Sequence, residues 1–184
     1  MILVINTSGN GIDLVLGNNI EHIDAEKQAI TLPDAVEKFL IKNETTWTEL
    51  TAIGIIVGPG SFTGIRLGIA YAKGLAIGLN IPVIPINAFE LYLAETPDAF
   101  VAIESGRGDF FIAAHDIEPQ TMEIEELETR QMEYPQTVGH KPFNLKLATN
   151  IVKSKLDSGK IEPAIPMYLR PSYAEEKNQE NKNV

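Results

Sequence analysis

The segment Gly58-Pro59-Gly60-Ser61-Phe62-Thr63-Gly64 restricts this chain more than any other, because it joins an apolar, β-rich run, Ala52–Val57, to a helical pattern, Phe62–Leu79. A strand, a glycine loop and a helix in that order predict an α/β arrangement with a sharp strand-to-helix turn. Within the helix, Gly64, Gly68, Ala72 and Ala76 recur at every fourth position, so one ridge carries almost no side-chain bulk. Such a ridge admits another backbone at close range. The glycines at 64, 68, 74 and 78 each cost about 1 kcal/mol of helix propensity relative to alanine, and tight packing is the simplest compensation. Arg66 and Lys73 keep a different face polar.

The flanking patterns place this unit in a sheet. Ile2–Asn6, Ile12–Leu16 and Ile20–Asp24 are apolar runs separated by Gly/Asn-rich breaks, which predicts an antiparallel meander. Pro33 suits a first helical position, and Leu32, Val36, Phe39 and Leu40 recur at helical spacing, so a short amphipathic helix is expected from Pro33 to Asn43. Val83–Ile86 reads as a strand parallel to Ala52–Val57, followed by a helix over Asn87–Glu95. Thr96-Pro97-Asp98 marks the expected boundary between a first lobe, residues 1–97, and a smaller second lobe, residues 98–173. The second begins with hairpin strands Phe100–Glu104 and Phe110–His115 around a Ser105–Gly108 turn. Beyond it come an acidic, solvated stretch at Glu123–Glu133, an amphipathic helix over Asn144–Lys155 and an extended segment, Ala164–Arg170. Residues 174–184, rich in Glu, Lys and Asn, are expected to be a disordered tail.

Charge and composition remove whole classes of function. The net charge is −10, distributed as 6 bases and 13 acids over residues 1–114, 1 and 7 over 115–134, and 8 and 5 over 135–184. A broadly basic nucleic-acid binder is disfavoured, because neutralising phosphates needs concentrated Lys and Arg; only the last quarter could offer that. Lys141, Lys146, Lys153 and Lys155 are the candidates, with ordinary solvated surface as the commoner explanation. With no cysteine there can be no disulfide, thiolate zinc site or cysteine nucleophile. The chain starts on a strand-like run without a basic leader, and Ile65–Leu79 is interrupted by Arg66 and Lys73, so a cytoplasmic location without membrane contact is expected.

Candidate chemistry is sparse. Gly58 and Gly64 are one residue too far apart for a Walker loop, and Ile65-Arg66 stands where Lys-Ser/Thr would follow, so the loop reads first as structural and second as an anion contact. The hairpin Ile2–Ser8 has the outline of the first phosphate loop of actin-like ATPases. At the end of its first strand, however, Asn6 offers a neutral amide where a magnesium ligand would be a carboxylate. His22, His115 and His140 form no two-histidine helical pair, which leaves no expected metal site. Glu104, Arg107 and Asp109 cluster at one turn, more in the manner of a charged hairpin tip than of an acid/base site.

Gly58–Gly68 with the following Ala72-Lys73-Gly74-Leu75-Ala76 closely resembles the hallmark segment of the TsaB (YeaZ) proteins. Asn6-Thr7-Ser8, the hairpin Glu104–Phe111 and Pro166-Met167-Tyr168-Leu169-Arg170 agree with it. Asn6 and Glu104 stand where the family usually has Asp. The resemblance implies an α/β, actin-like ATPase (ribonuclease H-like) fold of two lobes with mixed sheets, the second abbreviated. It implies a non-catalytic subunit that pairs with TsaD, the transferase making threonylcarbamoyladenosine in tRNA, and is joined by TsaE. A homodimer is expected when TsaD is absent, tRNA is met only indirectly, and nucleotide and metal belong to the partner subunits. The family's contact uses the two first-lobe helices, which makes Val36, Phe39, Leu40, Gly64, Gly68, Ala72 and Ala76 the expected interface, beside the motif loop Gly58, Pro59, Gly60, Ser61, Phe62, Thr63, Gly64 and Arg66. The enzymatic alternative is an ATP-dependent phosphotransferase or ATPase of the same fold.

Overall fold

The computed structural model describes residues 1–169, so the expected tail at 174–184 and Arg170 lie outside the described residues. Five strands form the first sheet: β1 (Ile2–Asn6), β2 (Ile12–Leu16), β3 (Asn19–Ile23), β4 (Ala52–Ile56) and β5 (Val83–Ile86), in the order β3-β2-β1-β4-β5. The meander β1-β2-β3 is antiparallel, whereas β4 and β5 run parallel to β1, as expected of strands joined by helical crossovers. Two helices supply those crossovers, α1 (Gln28–Lys42) before β4 and α2 (Phe62–Leu79) before β5.

The helix expected at Pro33–Asn43 begins five residues earlier, at Gln28, with Pro33 inside it. The early start escapes the sequence because Lys27 occupies the N-cap and makes no side-chain cap, while Pro33 imitates a first-turn residue.

Strand alternation divides the first core between the two faces of the sheet. Leu3, Ile5, Leu14, Ile53 and Ile55 pack against α1 and α2. Ile2, Val4, Val15, Ile56 and Ile84 point the other way. That second face is covered by α5 (Ala148–Ser158), through Ala148 and Val152, and by Leu91 of α3 (Ala88–Glu95). Hence a helix from beyond residue 97 closes the first sheet, and the sequence order of the two sheets does not match the order in which their cores are filled.

The second sheet has the order β8-β7-β6-β9, from β6 (Phe100–Glu104), β7 (Asp109–Ala114), β8 (Ile117–Glu123) and β9 (Thr137–Val138). The acidic stretch resolves into the end of β8, α4 (Ile124–Arg130) and a short 3-10 turn; only Leu127 of α4 is buried, against Phe100 and Ile112. On the other face, Val101 and Ala113 meet Ala88, Phe89 and Tyr92 of α3. Thus α3 touches both sheets. The extended segment 160–169 does so too: Ala164 joins the α1/α2 core, Met167 lies against both, and Leu169 packs with the α3 group.

Candidate functional site

The glycine segment sits where β4, the β1–β2 turn, α1 and α2 converge. After β1 the chain turns through Thr7–Gly11, and Thr7 Oγ1 donates to the Gly64 carbonyl at 2.7 Å, wholly buried. Ser61 N–H donates to the Ser8 carbonyl at 2.7 Å. From α1, the Gln28 amide donates to the carbonyls of Thr7, Gly9 and Gly11 at 3.3, 3.2 and 2.5 Å. This convergence explains the glycines: a Cβ on Gly60 would strike the Ser8 carbonyl, on Gly64 the Thr7 carbonyl, and on Gly68 the Thr7 hydroxyl.

The small-residue ridge expected at a partner interface lies inside the subunit. Gly64, Gly68, Ala72 and Ala76 face the chain's own first turn and sheet, and Val36, Phe39 and Leu40 are buried in the same core. The ridge does admit a backbone at close range, but that backbone is β1 and its turn.

Of the motif loop, Gly58 and Pro59 are buried and joined by a cis peptide. Met167 N–H donates to the Val57 carbonyl, and Ala88 N–H to that of Gly58, both at 2.8 Å. Ser61 caps α2 by accepting from Gly64 N–H at 3.2 Å. Phe62, Thr63 and Arg66 are exposed. The Arg66 guanidinium lies 3.8 Å from the centre of the Phe62 ring, Phe62 stacks on Tyr168 with centroids 5.0 Å apart, and Arg66 Nε donates to the Tyr168 hydroxyl. Arginine and two aromatic rings so clasp segment 160–169 to the start of α2.

Asn6 is buried and its side chain is occupied locally. Its carbonyl oxygen accepts from Ser8 N–H at 3.0 Å and Ser8 Oγ at 2.7 Å, and its amide donates to Asp13 at 2.8 Å. Asp13 pairs in turn with His22 Nδ1 at 2.7 Å. That hydrogen bond and the Asp13 charge raise the His22 pKa above its ordinary value. Among the described residues no group of three His, Asp or Glu side chains is placed to hold a metal ion. At the hairpin tip, Asp109 is buried, accepts from Ser105 Oγ and closes its own turn. His115 rests edge-on against Tyr134.

Sequence reasoning missed Gln28 and Asp13, and it named Tyr168 only as part of a family segment, without its contact to α2. Gln28 was hidden by the misplaced helix start. Asp13 carried a signal, a charge in the middle of an apolar strand.

The α1/α2 pair has a second, outward face. Gly74 and Gly78 have open space where a Cβ would be, Ala70 is exposed, and Ile77 is 82% exposed between them. On α1, Ile30 and Ile41 are 73% and 69% exposed.

The family model of TsaD, tRNA N6-adenosine threonylcarbamoyltransferase, matches residues 21–159, three quarters of the chain. The chain belongs to this family. Within it, the similarity runs to members named TsaB (YeaZ). The tRNA threonylcarbamoyladenosine biosynthesis protein TsaB of Escherichia coli is 35% identical over 92 residues, 47% of this chain and 39% of that protein. TsaB of Haemophilus influenzae is 40% identical over 68 residues, 33% of this chain and 29% of that protein. A tRNA N6-adenosine threonylcarbamoyltransferase of Rickettsia typhi is 37% identical over 76 residues, 41% of this chain and 20% of its own length. The matched stretches thus span less than half of each of these relatives. Among solved structures, YeaZ from Pseudomonas aeruginosa superposes with a TM-score of 0.71 at 17% identity, covering 91% of this chain and 99% of that one. A P. aeruginosa protein described as similar to peptidase YEAZ gives 0.71 at 16% identity, covering 92% and 99%. The fold is accordingly the actin-like, ribonuclease H-like fold of two lobes with mixed sheets.

Proposed function

We propose that this chain acts in tRNA threonylcarbamoyladenosine formation as a non-catalytic subunit that docks a TsaD-type transferase through the outward face of α1 and α2. The observation that carries this reading is the second row of small residues. Gly64 and Gly68 are explained inside the subunit, but Gly74 and Gly78 each cost about 1 kcal/mol of helix propensity, and a Cβ on either would meet nothing among the described residues. Ala70, Gly74 and Gly78 repeat at every fourth position beside Ile77, with Ile30 and Ile41 on the neighbouring helix. A flat, small-residue strip flanked by exposed isoleucines suits close helix-to-helix docking, which offsets that cost in the assembly. The same face would serve a homodimer when the transferase is absent, and a TsaE-type ATPase would join the heterodimer.

The non-catalytic part of the reading is supported by the first turn. A phosphate loop needs free N–H groups and a carboxylate for magnesium, whereas here Ser8 N–H is bonded to Asn6, Ser61 N–H to Ser8, and Asn6 is neutral. Nucleotide, metal and the principal hold on tRNA then fall to the partner subunits, which agrees with the chain's net charge of −10, and the chain would act in the cytoplasm.

Gel filtration of the chain with its TsaD tests the reading. The wild type should co-elute as a heterodimer, and Gly74→Glu or Ile77→Asp should abolish co-elution while leaving circular dichroism and the unfolding midpoint unchanged. Co-elution that survives both changes would remove this face from the proposal. Magnesium-dependent ATP turnover by the isolated chain, lost in Asn6→Ala, would favour a phosphotransferase instead.

A further inference from the structure

Residues 134–161 carry Lys141, Lys146, Lys153, Lys155 and Lys160 against the single acid Asp157, in a chain whose net charge is −10. The structure sorts these lysines. Lys155 Nζ is 2.6 Å from Glu90 Oε1 and donates to the Pro85 carbonyl at 2.8 Å, so it is a structural tie of α5 and not a free cation. The other four are exposed and have no ion-pair partner among the described residues.

Their placement follows from how α5 packs. Ala148, Thr149 and Val152 turn one side of the helix onto the first sheet. The 3-10 turn Leu145–Leu147 leads directly into α5. Lys153 is exposed on α5 beside this buried side, and Lys146 is exposed in the 3-10 turn just ahead of the helix. Lys160 follows the Gly159 cap at the C-terminal end. Lys141 lies at the other end, in the loop whose carbonyl accepts from the Tyr92 hydroxyl. Between them Asn150 and Ser154 are exposed and polar. The nearby acids are Glu95, which accepts from Asn144, Asp157, one turn beyond Lys153, and Glu162, exposed two residues after Lys160.

We propose that this α5 edge is an auxiliary RNA-binding surface, with Lys141, Lys146, Lys153 and Lys160 contacting the phosphate backbone of tRNA. The inference rests on the tRNA-modification reading for its choice of polyanion. Among the described residues the surface offers spaced ammonium groups, with His140 exposed beside Lys141, Ile161 exposed beside Lys160, and Phe143 and Ile151 half-buried against the first core. Lysine acts as a point charge toward phosphate, and sequence-independent backbone contact needs nothing more. A protein interface would instead be expected to bury an apolar or aromatic centre with few charges. The acidic remainder of the chain confines RNA to this edge.

The test measures binding of an unmodified tRNA transcript to the isolated full chain at about 20–200 mM salt, and repeats the measurement on its complex with TsaD. The comparison is with the quadruple variant Lys141→Gln, Lys146→Gln, Lys153→Gln, Lys160→Gln. Each phosphate contact contributes about 0.7–0.9 to the slope of log affinity against log salt, so the variant should lower the slope by about 3 and bind tenfold or more weakly at low salt. An unaltered unfolding midpoint shows that the variant is folded, and the double variant Lys146→Glu, Lys153→Glu should weaken binding further. Equal tRNA affinity and slope in wild type and variants would overturn the proposal, whether or not TsaD binds. Equal competition by polyglutamate would also overturn it, assigning the edge to an acidic protein. Failure of the TsaD complex to form, with tRNA binding by the isolated chain intact, would instead count against the docking reading alone.

Discussion

At Gly68 a single methyl group would fall onto the Thr7 hydroxyl, and at Gly64 onto the Thr7 carbonyl. Neither neighbour can retreat easily, because Thr7 is wholly buried and its hydroxyl is spent on the Gly64 carbonyl. Gly68→Ala should lower the unfolding free energy by about 1–3 kcal/mol in urea titrations, as overpacking does in a dense core, despite alanine's better helix propensity. Gly74→Ala, where the added carbon meets open space, should raise it by about 0.5–1 kcal/mol. The opposite signs at two glycines of one helix separate core fit from surface. Gly68 belongs to the row of small side chains read from the sequence and Gly74 to one that was not, and which row faced inward depended on the strand beneath it. His22 adds a pH response. Its folded pKa is raised, first by the hydrogen bond to Asp13 and then by the Asp13 charge. The resulting stabilisation is fully present below the unfolded value of about 6.5 and is lost as pH rises through the folded value. Urea midpoints of wild type should fall over that interval, and those of His22→Gln should lack this component.

Among the elements, α5 shows how a helix from late in the chain becomes part of the first core. Gly54 of β4 lies beneath it: a Cβ there would come within 2.8 Å of Val152 and 3.0 Å of Val4. Gly54→Val should therefore displace α5 and destabilise the protein by about 2–4 kcal/mol, with loss of amide-exchange protection in residues 148–158. Glu90 holds the same helix by its ion pair with Lys155, and its other oxygen accepts from Asn87 N–H to complete the capping box of α3. Glu90→Ala removes both interactions and should cost about 1–3 kcal/mol in the same assay. Strand and helix types were legible because apolar periodicity and turn residues agree locally, most fully in α2 and β5. The start of α1 was not, since an uncapped first turn ahead of a proline carries little local information.

For the whole molecule, the two sheets are joined by α3 and by segment 160–169, each of which contributes side chains to both sides. The clasp of Phe62, Arg66 and Tyr168 is exposed, yet it secures the point where that segment crosses the glycine loop. Tyr168→Ala should leave global stability within about 1 kcal/mol while speeding limited proteolysis within residues 160–169, because an exposed stack contributes to local closure more than to the global balance. Unchanged cleavage would show that Met167 and Leu169 hold the segment unaided. The sequence by itself determined the elements, the glycine-loop turn, the family and the uneven charge, because these depend on local periodicity, on backbone sterics and on composition. Only the tertiary structure decided which small-residue row meets β1 and which meets solvent, that α5 closes the first sheet, and that Lys155 is held while Lys146 and Lys153 have no ion-pair partner among the described residues. Those outcomes depend on residues far apart in the chain arriving at the same place.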